Sequence, residues 1–232
     1  MQILAMDTAT AGCSVALWQG DGIGARRFEA MARGQSEALQ PMIQEVLTEA
    51  GITAMELNLI AVTRGPGAFT GLRIGLATAR AMALAAGLPC LGVDTTDVIA
   101  CGVDAALIPG DLLVVLDTKR TDFYAQKFSS RHESLAPPVA ISPDDLAELV
   151  GPQSGDAPLM VVGDATDAAL KILSDANIAA VAAPAPGLPD AAHLAAIAAL
   201  RWQPGQALHP PLPLYLRPPD AKLPQNGGRL RS

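Results

Sequence analysis

Residues 1–8 read MQILAMDT, and residues 111–118 read DLLVVLDT. In both segments a short apolar run ends at an aspartate that is followed by a threonine, at Asp7 and at Asp117. A run of this length, bounded by polar residues, is typical of a buried strand. Because the same strand ending recurs in the second half of the chain, the sequence predicts two copies of one structural unit.

The elements predicted around the first of these strands alternate in a way that is typical of an α/β fold. A small-residue turn over 10–12 indicates a hairpin between the first two strands. The predicted order is strand 3–6, strand 14–18, strand 23–30, helix 36–50, strand 59–62, helix 70–86, strand 91–93 and a short helix over 96–102.

The second half repeats much of this plan. Its predicted elements are strand 112–116, strand 122–128, a helix capped by 142–145 and ending at 150, strand 159–162, and helices over 165–175 and 190–202. From about residue 203 the chain is rich in proline and ends in glycine and arginine, which is typical of irregular structure. We therefore predict duplicated βββαβα lobes over 1–102 and 103–232, the second of which ends in an irregular tail.

The two strand ends predict a cleft between the lobes, with Asp7 and Asp117 on opposite sides. This arrangement resembles the actin-like (ribonuclease H-like, ASKHA) fold, in which ATP lies between two lobes. Backbone N–H groups of the turn after Asp7 could bind phosphate, and a carboxylate could hold water around Mg²⁺. The candidate nucleotide-binding residues are Asp7, Thr8, Asp117 and Gly163. An ordinary β-turn is the slightly favoured alternative, because Lys119 and Arg120 stand where a phosphate loop would have glycine.

The stretch 64–87, RGPGAFTGLRIGLATARAMALAAG, contains the most unusual helix of the chain. It lacks the lysine and the glycine spacing of a phosphate loop. Two arginines interrupt its apolar run, so it is not a membrane span. Thr70 is the predicted N-cap and Gly87 the predicted stop. Small residues recur every four positions, which allows another element to pack at short distance. Whether that element belongs to this chain or to a partner is left open by the spacing of Gly71, Gly75, Ala79 and Ala83.

Groups that could carry catalysis are scarce in this sequence. His132, His193 and His209 have no metal-ligand spacing, and no nucleophile elbow surrounds Ser36. We therefore predict neither catalytic residues nor a metal site. The net charge of −7 and the pI of about 4.9 disfavour direct binding to nucleic acid. The first residues lack the basic region of a signal peptide, so we expect a cytoplasmic protein.

A resemblance to a known family rests on four segments: MDTATAGCSVAL (6–17), RGPGAFTGLRIGLATARAMA (64–83), LPCLGVDT (88–95) and YLR (215–217). Together they resemble the TsaB (YeaZ) family of bacterial tRNA threonylcarbamoyladenosine biosynthesis proteins, which belongs to the TsaD/glycoprotease-like proteins. DTKRTDFY (117–124) matches more loosely. The resemblance implies a non-catalytic subunit for N6-threonylcarbamoylation of adenosine 37 in tRNAs that read ANN codons.

The resemblance also implies partners. They are a TsaD-like catalytic subunit, bound through N-lobe helices, and a TsaE-like ATPase, with ATP and Mg²⁺ confined to these partners. In isolation the same face would form a homodimer, and tRNA would be bound only through the complex. TsaD-like sequences carry an HxxxH metal motif where this chain has Thr95 and Ile99. The implied interface residues are Gly71, Arg73, Gly75, Ala79 and Ala83 on one helix and Leu39 and Ile43 on another.

An enzyme is the competing hypothesis. An actin-like ATPase or a small-molecule kinase would use Asp7 and Asp117 in the cleft between the lobes.

Overall fold

The computed structural model describes residues 1–151 and 157–217. The strands of the first half are β1 (Gln2–Asp7), β2 (Gly12–Gln19), β3 (Gly22–Ala30), β4 (Leu59–Thr63) and β5 (Cys90–Val93). Those of the second half are β6 (Leu112–Asp117), β7 (Phe123–Phe128), β8 (Val139–Ile141), β9 (Leu159–Val162) and β10 (Ala180–Ala182).

Each half forms one five-stranded sheet, and the two sheets have the same topology. The strand orders are β3-β2-β1-β4-β5 and β8-β7-β6-β9-β10. In both sheets the first strand pairs antiparallel with the second and parallel with the fourth. The predicted α/β fold with duplicated lobes is therefore confirmed.

The described helices are α1 (Gln35–Glu49), α2 (Phe69–Ala86), α3 (Thr95–Cys101), α4 (Leu146–Val150), α5 (Thr166–Asp175) and α6 (Ala191–Arg201). Short 3-10 turns lie at Ala54–Glu56 and Ala105–Leu107. Each half thus reads βββαβαβα, which is the order predicted for the elements of the first half. The prediction missed β8 and β10. It also placed the N-cap of α2 at Thr70, which is wrong, since the helix begins at Phe69 after Ala68. The predicted stop is confirmed, because Gly87 ends α2 with a φ of 65°.

The last helix of each half packs against the sheet of the other half. One face of the first sheet is covered by α1 and α2, and the opposite face by α6. In the second sheet, α5 packs on one face and α3, from the first half, on the other. The hydrophobic effect therefore binds the two halves together, since each sheet needs a helix from the other half to bury its apolar face.

The tail forms no helix or strand over 203–217, the part of it that the structure describes. It lies on the first half, where the Leu214 N–H donates to the Arg64 carbonyl oxygen over 2.7 Å. The rest of the predicted tail, 218–232, is outside the described residues. Within the described ranges, none of the helices has the length and apolar character needed to cross a bilayer.

Candidate functional site

A cleft of about 500 Å³ lies between the two lobes. One wall consists of the turn after β1 and the first turns of α1 and α2; the other consists of the end of β6, the loop that follows it, Tyr124 and Asp164. The site thus lies at the carboxyl ends of strands, where ligands bind in open α/β sheets. Its polar lining residues include Thr10, Arg33, Gln35, Ser36, Thr70, Asp117, Thr118, Lys119 and Asp164.

Of the four predicted nucleotide-binding residues, only Asp117 lines this cleft. Asp7 is fully buried, and its Oδ1 accepts hydrogen bonds from the Thr63 hydroxyl at 2.5 Å and the Ala9 N–H at 3.2 Å. Its Oδ2 has no partner in the described part of the chain. Burial raises the pKa of Asp7 to about 7, because an ionised carboxylate loses its hydration there. Asp7 therefore lies in the protein interior, at the end of β1, and does not line the cleft.

The loop before α2 covers the turn after β1 and keeps Thr8 away from the cleft. The Thr8 hydroxyl donates to the Gly71 carbonyl oxygen over 2.7 Å, and the Ala68 N–H donates to the Ala9 carbonyl oxygen over 2.7 Å. A side chain at Gly71 would overlap the Thr8 carbonyl oxygen, and a Cβ at Gly75 would lie 2.7 Å from the Thr8 hydroxyl. The two glycines thus let α2 pack directly on the turn.

The opposite wall carries two carboxylates with a lysine between them. Lys119 Nζ lies 2.9 Å from Asp117 Oδ2 and 4.0 Å from Asp164 Oδ2. Asp164 Oδ1 also accepts the Asp117 N–H over 2.8 Å. Burial alone raises the pKa of Asp117, but the hydrogen bonds from Lys119 outweigh it and hold the pKa below its usual value. Lys119 therefore supplies a counter-ion to Asp117, whereas burial raises the pKa of Asp164.

Gly163 allows the close approach of two backbone segments in the second sheet. Its φ is 128°, a conformation that favours glycine, and a side chain there would overlap the Val115 carbonyl oxygen. The predicted nucleotide-binding residues do not include Asp164, the next residue, which lines the cleft. The signal for Asp164 in the sequence is its place two residues after the apolar strand β9.

The predicted interface residues fall into two groups. Gly71, Gly75, Ala79 and Ala83 face the first sheet and are buried, and Leu39 and Ile43 of α1 belong to the same core. These contacts match the intramolecular alternative that the sequence left open. Arg73 is exposed: its guanidinium lies 3.7 Å from the centre of the Phe69 ring and its Nε donates to the Tyr215 hydroxyl. Whether this region binds a partner stays a prediction.

Residues that the sequence did not single out form the outer face of α2. Phe69 is 52% exposed and Leu84 86% exposed, and Ala77 and Ala81 lie in the open between them. The signal for this face was present, because these positions repeat at helical spacing on the side opposite to the glycines.

The described residues contain no group of three or more His, Cys, Asp or Glu side chains that could hold a metal ion. Thr95 and Ile99, which stand at the positions of the HxxxH motif, are buried in α3. Ile99 packs in the core of the second sheet. Neither side chain offers an imidazole nitrogen.

The sequence matches the family described as "TsaD: tRNA N6-adenosine threonylcarbamoyltransferase" over residues 29–224. The tRNA threonylcarbamoyladenosine biosynthesis protein TsaB of Escherichia coli is 41% identical over 53% of each chain, so the match spans about half of that protein. An uncharacterized protein of Mycobacterium tuberculosis is 32% identical over 95% of this chain and 93% of its own. The solved structure of YeaZ from Pseudomonas aeruginosa superimposes with a TM-score of 0.78 at 26% identity, covering 93% of this chain and 99% of that one.

Proposed function

This chain belongs to the TsaD family and to its TsaB (YeaZ) branch, and from that premise we propose that it takes part in threonylcarbamoyladenosine biosynthesis on tRNA. In this proposal it is a cytoplasmic, non-catalytic subunit that binds and supports a TsaD-like catalytic subunit. The modified base is adenosine 37 of tRNAs that read ANN codons. A TsaE-like ATPase joins the assembly and handles ATP and Mg²⁺.

The outer face of α2 is the observation that carries this proposal. The inner face of α2 packs against the chain itself, so a partner can contact only its outer face. That face carries Arg73, Ala77, Arg80, Ala81 and Leu84. Short side chains in the middle of this face allow another helix to approach closely, while Leu84 and Phe69 supply apolar contact area. In the absence of the partner, a second copy of this chain takes its place on the same face.

The chemistry of the cleft supports a non-catalytic role. Threonine and isoleucine occupy the positions of the HxxxH motif, and Lys119 already forms an ion pair with the Asp117 carboxylate. The net charge of −7 supports the further proposal that tRNA is bound through the complex and not by this chain alone.

Size-exclusion chromatography and calorimetry with the cognate TsaD-like protein test the proposal. Leu84→Arg replaces an apolar contact of the proposed interface with a charge and should weaken the complex by about tenfold or more. Leu200→Arg is the matched control, because Leu200 on α6 is 87% exposed and Leu84 is 86% exposed. A complex that survives Leu84→Arg unchanged would remove the α2 face from the proposal, and the absence of any complex would remove the partner.

An actin-like ATPase or small-molecule kinase is the second candidate. The cleft of about 500 Å³ with two carboxylates on one wall favours it. Calorimetry with Mg-ATP separates the two functions. Binding at millimolar nucleotide, followed by release of phosphate, would support the enzyme hypothesis. A titration that shows no binding would leave the non-catalytic subunit as the remaining hypothesis.

A further inference from the structure

The last described residues of the chain contact both lobes. On the first lobe, the Leu214 N–H donates to the Arg64 carbonyl oxygen over 2.7 Å, and the Tyr215 ring packs on Phe69 with centroids 5.3 Å apart. The Tyr215 hydroxyl accepts a hydrogen bond of 3.1 Å from Arg73 Nε. Tyr215 is thus held by two residues of the first turns of α2.

Two residues further along, Arg217 forms an ion pair with Asp122 of the second lobe. The Asp122 side chain is only 10% exposed, and its Oδ1 accepts the Thr118 hydroxyl over 2.6 Å. Thr118 lines the cleft, as do Ala68 and Thr70 on either side of Phe69. The tail therefore crosses from one wall of the cleft to the other, with anchors directly behind each wall.

Glycine at position 65 makes room for this path. Its φ is 118°, and a Cβ there would lie 2.7 Å from the Leu214 carbonyl oxygen. A second glycine, Gly92 on β5, lies under Pro211, and a Cβ there would lie 2.6 Å from the proline Cβ. At these two glycines the tail contacts the first lobe closely, although it has no regular structure.

We infer that the segment 212–217 is a clamp, in which Tyr215 on α2 and Arg217 on Asp122 together fix the opening of the cleft. Both ends must hold, because each anchors a different lobe. Release of either end frees the loop after β6 and lets the walls separate. The clamp operates in the isolated chain and does not depend on the function proposed above.

Hydrogen–deuterium exchange on the full-length protein tests the clamp. Arg217→Gln leaves the Asp122 carboxylate without its cation, and we expect exchange about tenfold faster in both walls, at 8–11 and at 117–123. The charge-reversed pair Asp122→Arg with Arg217→Asp should restore slow exchange. Arg201→Gln is the control, since it breaks an ion pair, with Asp97, in which no residue of 212–217 takes part.

Each outcome decides the inference. Faster exchange at both walls supports the clamp, whereas unchanged exchange overturns it. Faster exchange at 117–123 alone also overturns it, because the ion pair would then hold only its own loop. If Arg217→Gln does not fold, Tyr215→Ala, which releases the opposite end, is read by the same criteria. A failure here leaves the binding of a TsaD-like partner untouched, since that is measured with Leu84→Arg.

Discussion

Gly71 sets the distance between α2 and the turn after β1. The helix has no side chain at this point, so the turn can approach its backbone. The Thr8 hydroxyl donates to the Gly71 carbonyl oxygen, and the Thr8 carbonyl oxygen occupies the space that a Cβ would need. The hydrogen bond spans 63 residues of sequence. A small residue is therefore required here by the backbone of a distant segment.

Gly71→Ala should consequently destabilise the protein by about 1–3 kcal/mol, because the new methyl group overlaps a backbone oxygen that cannot move freely. Urea unfolding followed by tryptophan fluorescence measures the loss. Gly22→Ala is the matched control, since a Cβ at Gly22 meets no atom within 4 Å. Equal stability of the two variants would contradict the contact.

Asp7 makes the stability of the protein depend on pH. Its pKa is about 7 in the folded chain and 3.8 in the reference state. Between these values the folded protein retains a proton that the unfolded chain has lost, so stability falls as pH rises through this interval and levels off above it.

Asp7→Asn should remove this dependence. The difference in unfolding free energy between the variant and the parent protein should rise with pH by about 1.4 kcal/mol per unit within the window. Other titrating groups cancel in the difference. Urea titrations at pH 5, 6 and 8 provide the measurement, and parallel curves for the two proteins would show that Asp7 does not titrate there.

Among the elements, α6 depends on one carboxylate at its beginning. Asp190 Oδ1 accepts the Ala192 N–H over 2.9 Å, which caps the helix, and Arg26 Nε over 3.0 Å. The cap satisfies a backbone donor at the helix N-terminus, and the ion pair ties α6 to the edge strand β3. One side chain therefore fixes both the start of the helix and its position on the sheet.

Asp190→Ala should lower the unfolding free energy by about 1–2 kcal/mol, mainly through the lost cap. Asp190→Asn keeps an oxygen that can cap the helix and should lose less, since an ion pair with a half-exposed arginine contributes little. Thermal unfolding by circular dichroism ranks the three proteins. Equal losses for the alanine and asparagine variants would assign the effect to the ion pair instead.

The predictability of the elements followed their length and pattern. Strands such as β1 and β6 are continuous apolar runs, and α2 repeats its small residues regularly, so both kinds were predicted from sequence. The strands β8 and β10 have three residues each, which is too short for a hydrophobic period to be recognised. The predicted N-cap at Thr70 was wrong because α2 begins without a side-chain cap. At the candidate site, Asp117 lines the cleft, but the covering of Asp7 and Thr8 depends on contacts with the loop before α2.

At the scale of the molecule, the exchange of α3 and α6 between halves could not be predicted from the sequence. Both helices have apolar faces that would fit either sheet, and only the path of the chain decides which sheet they cover. The boundary predicted at 102/103 follows the internal repeat, whereas the hydrophobic clusters under α6 and under α3 are each built from both halves. The repeat therefore describes the topology and does not by itself define units that fold alone.

We expect that neither half folds without the other. In a 1–102 fragment, the face of the first sheet that α6 covers would be in water, and it includes Ile3 and Leu59, both fully buried in the whole chain. Exposing two such side chains costs about 3–6 kcal/mol, which approaches the whole stability of a typical domain. The 103–232 fragment would likewise expose the apolar face of α6 and lack α3.

Circular dichroism should show both fragments to be unfolded when separate and folded when mixed. A 1–102 fragment joined by a flexible linker to residues 190–202 should recover structure by itself, because it regains the missing helix. In the full-length protein, circular dichroism and tryptophan fluorescence should report a single unfolding transition. Two separate transitions, or a folded 1–102 fragment, would show that the halves are independent and that the exchanged helices contribute little to cohesion.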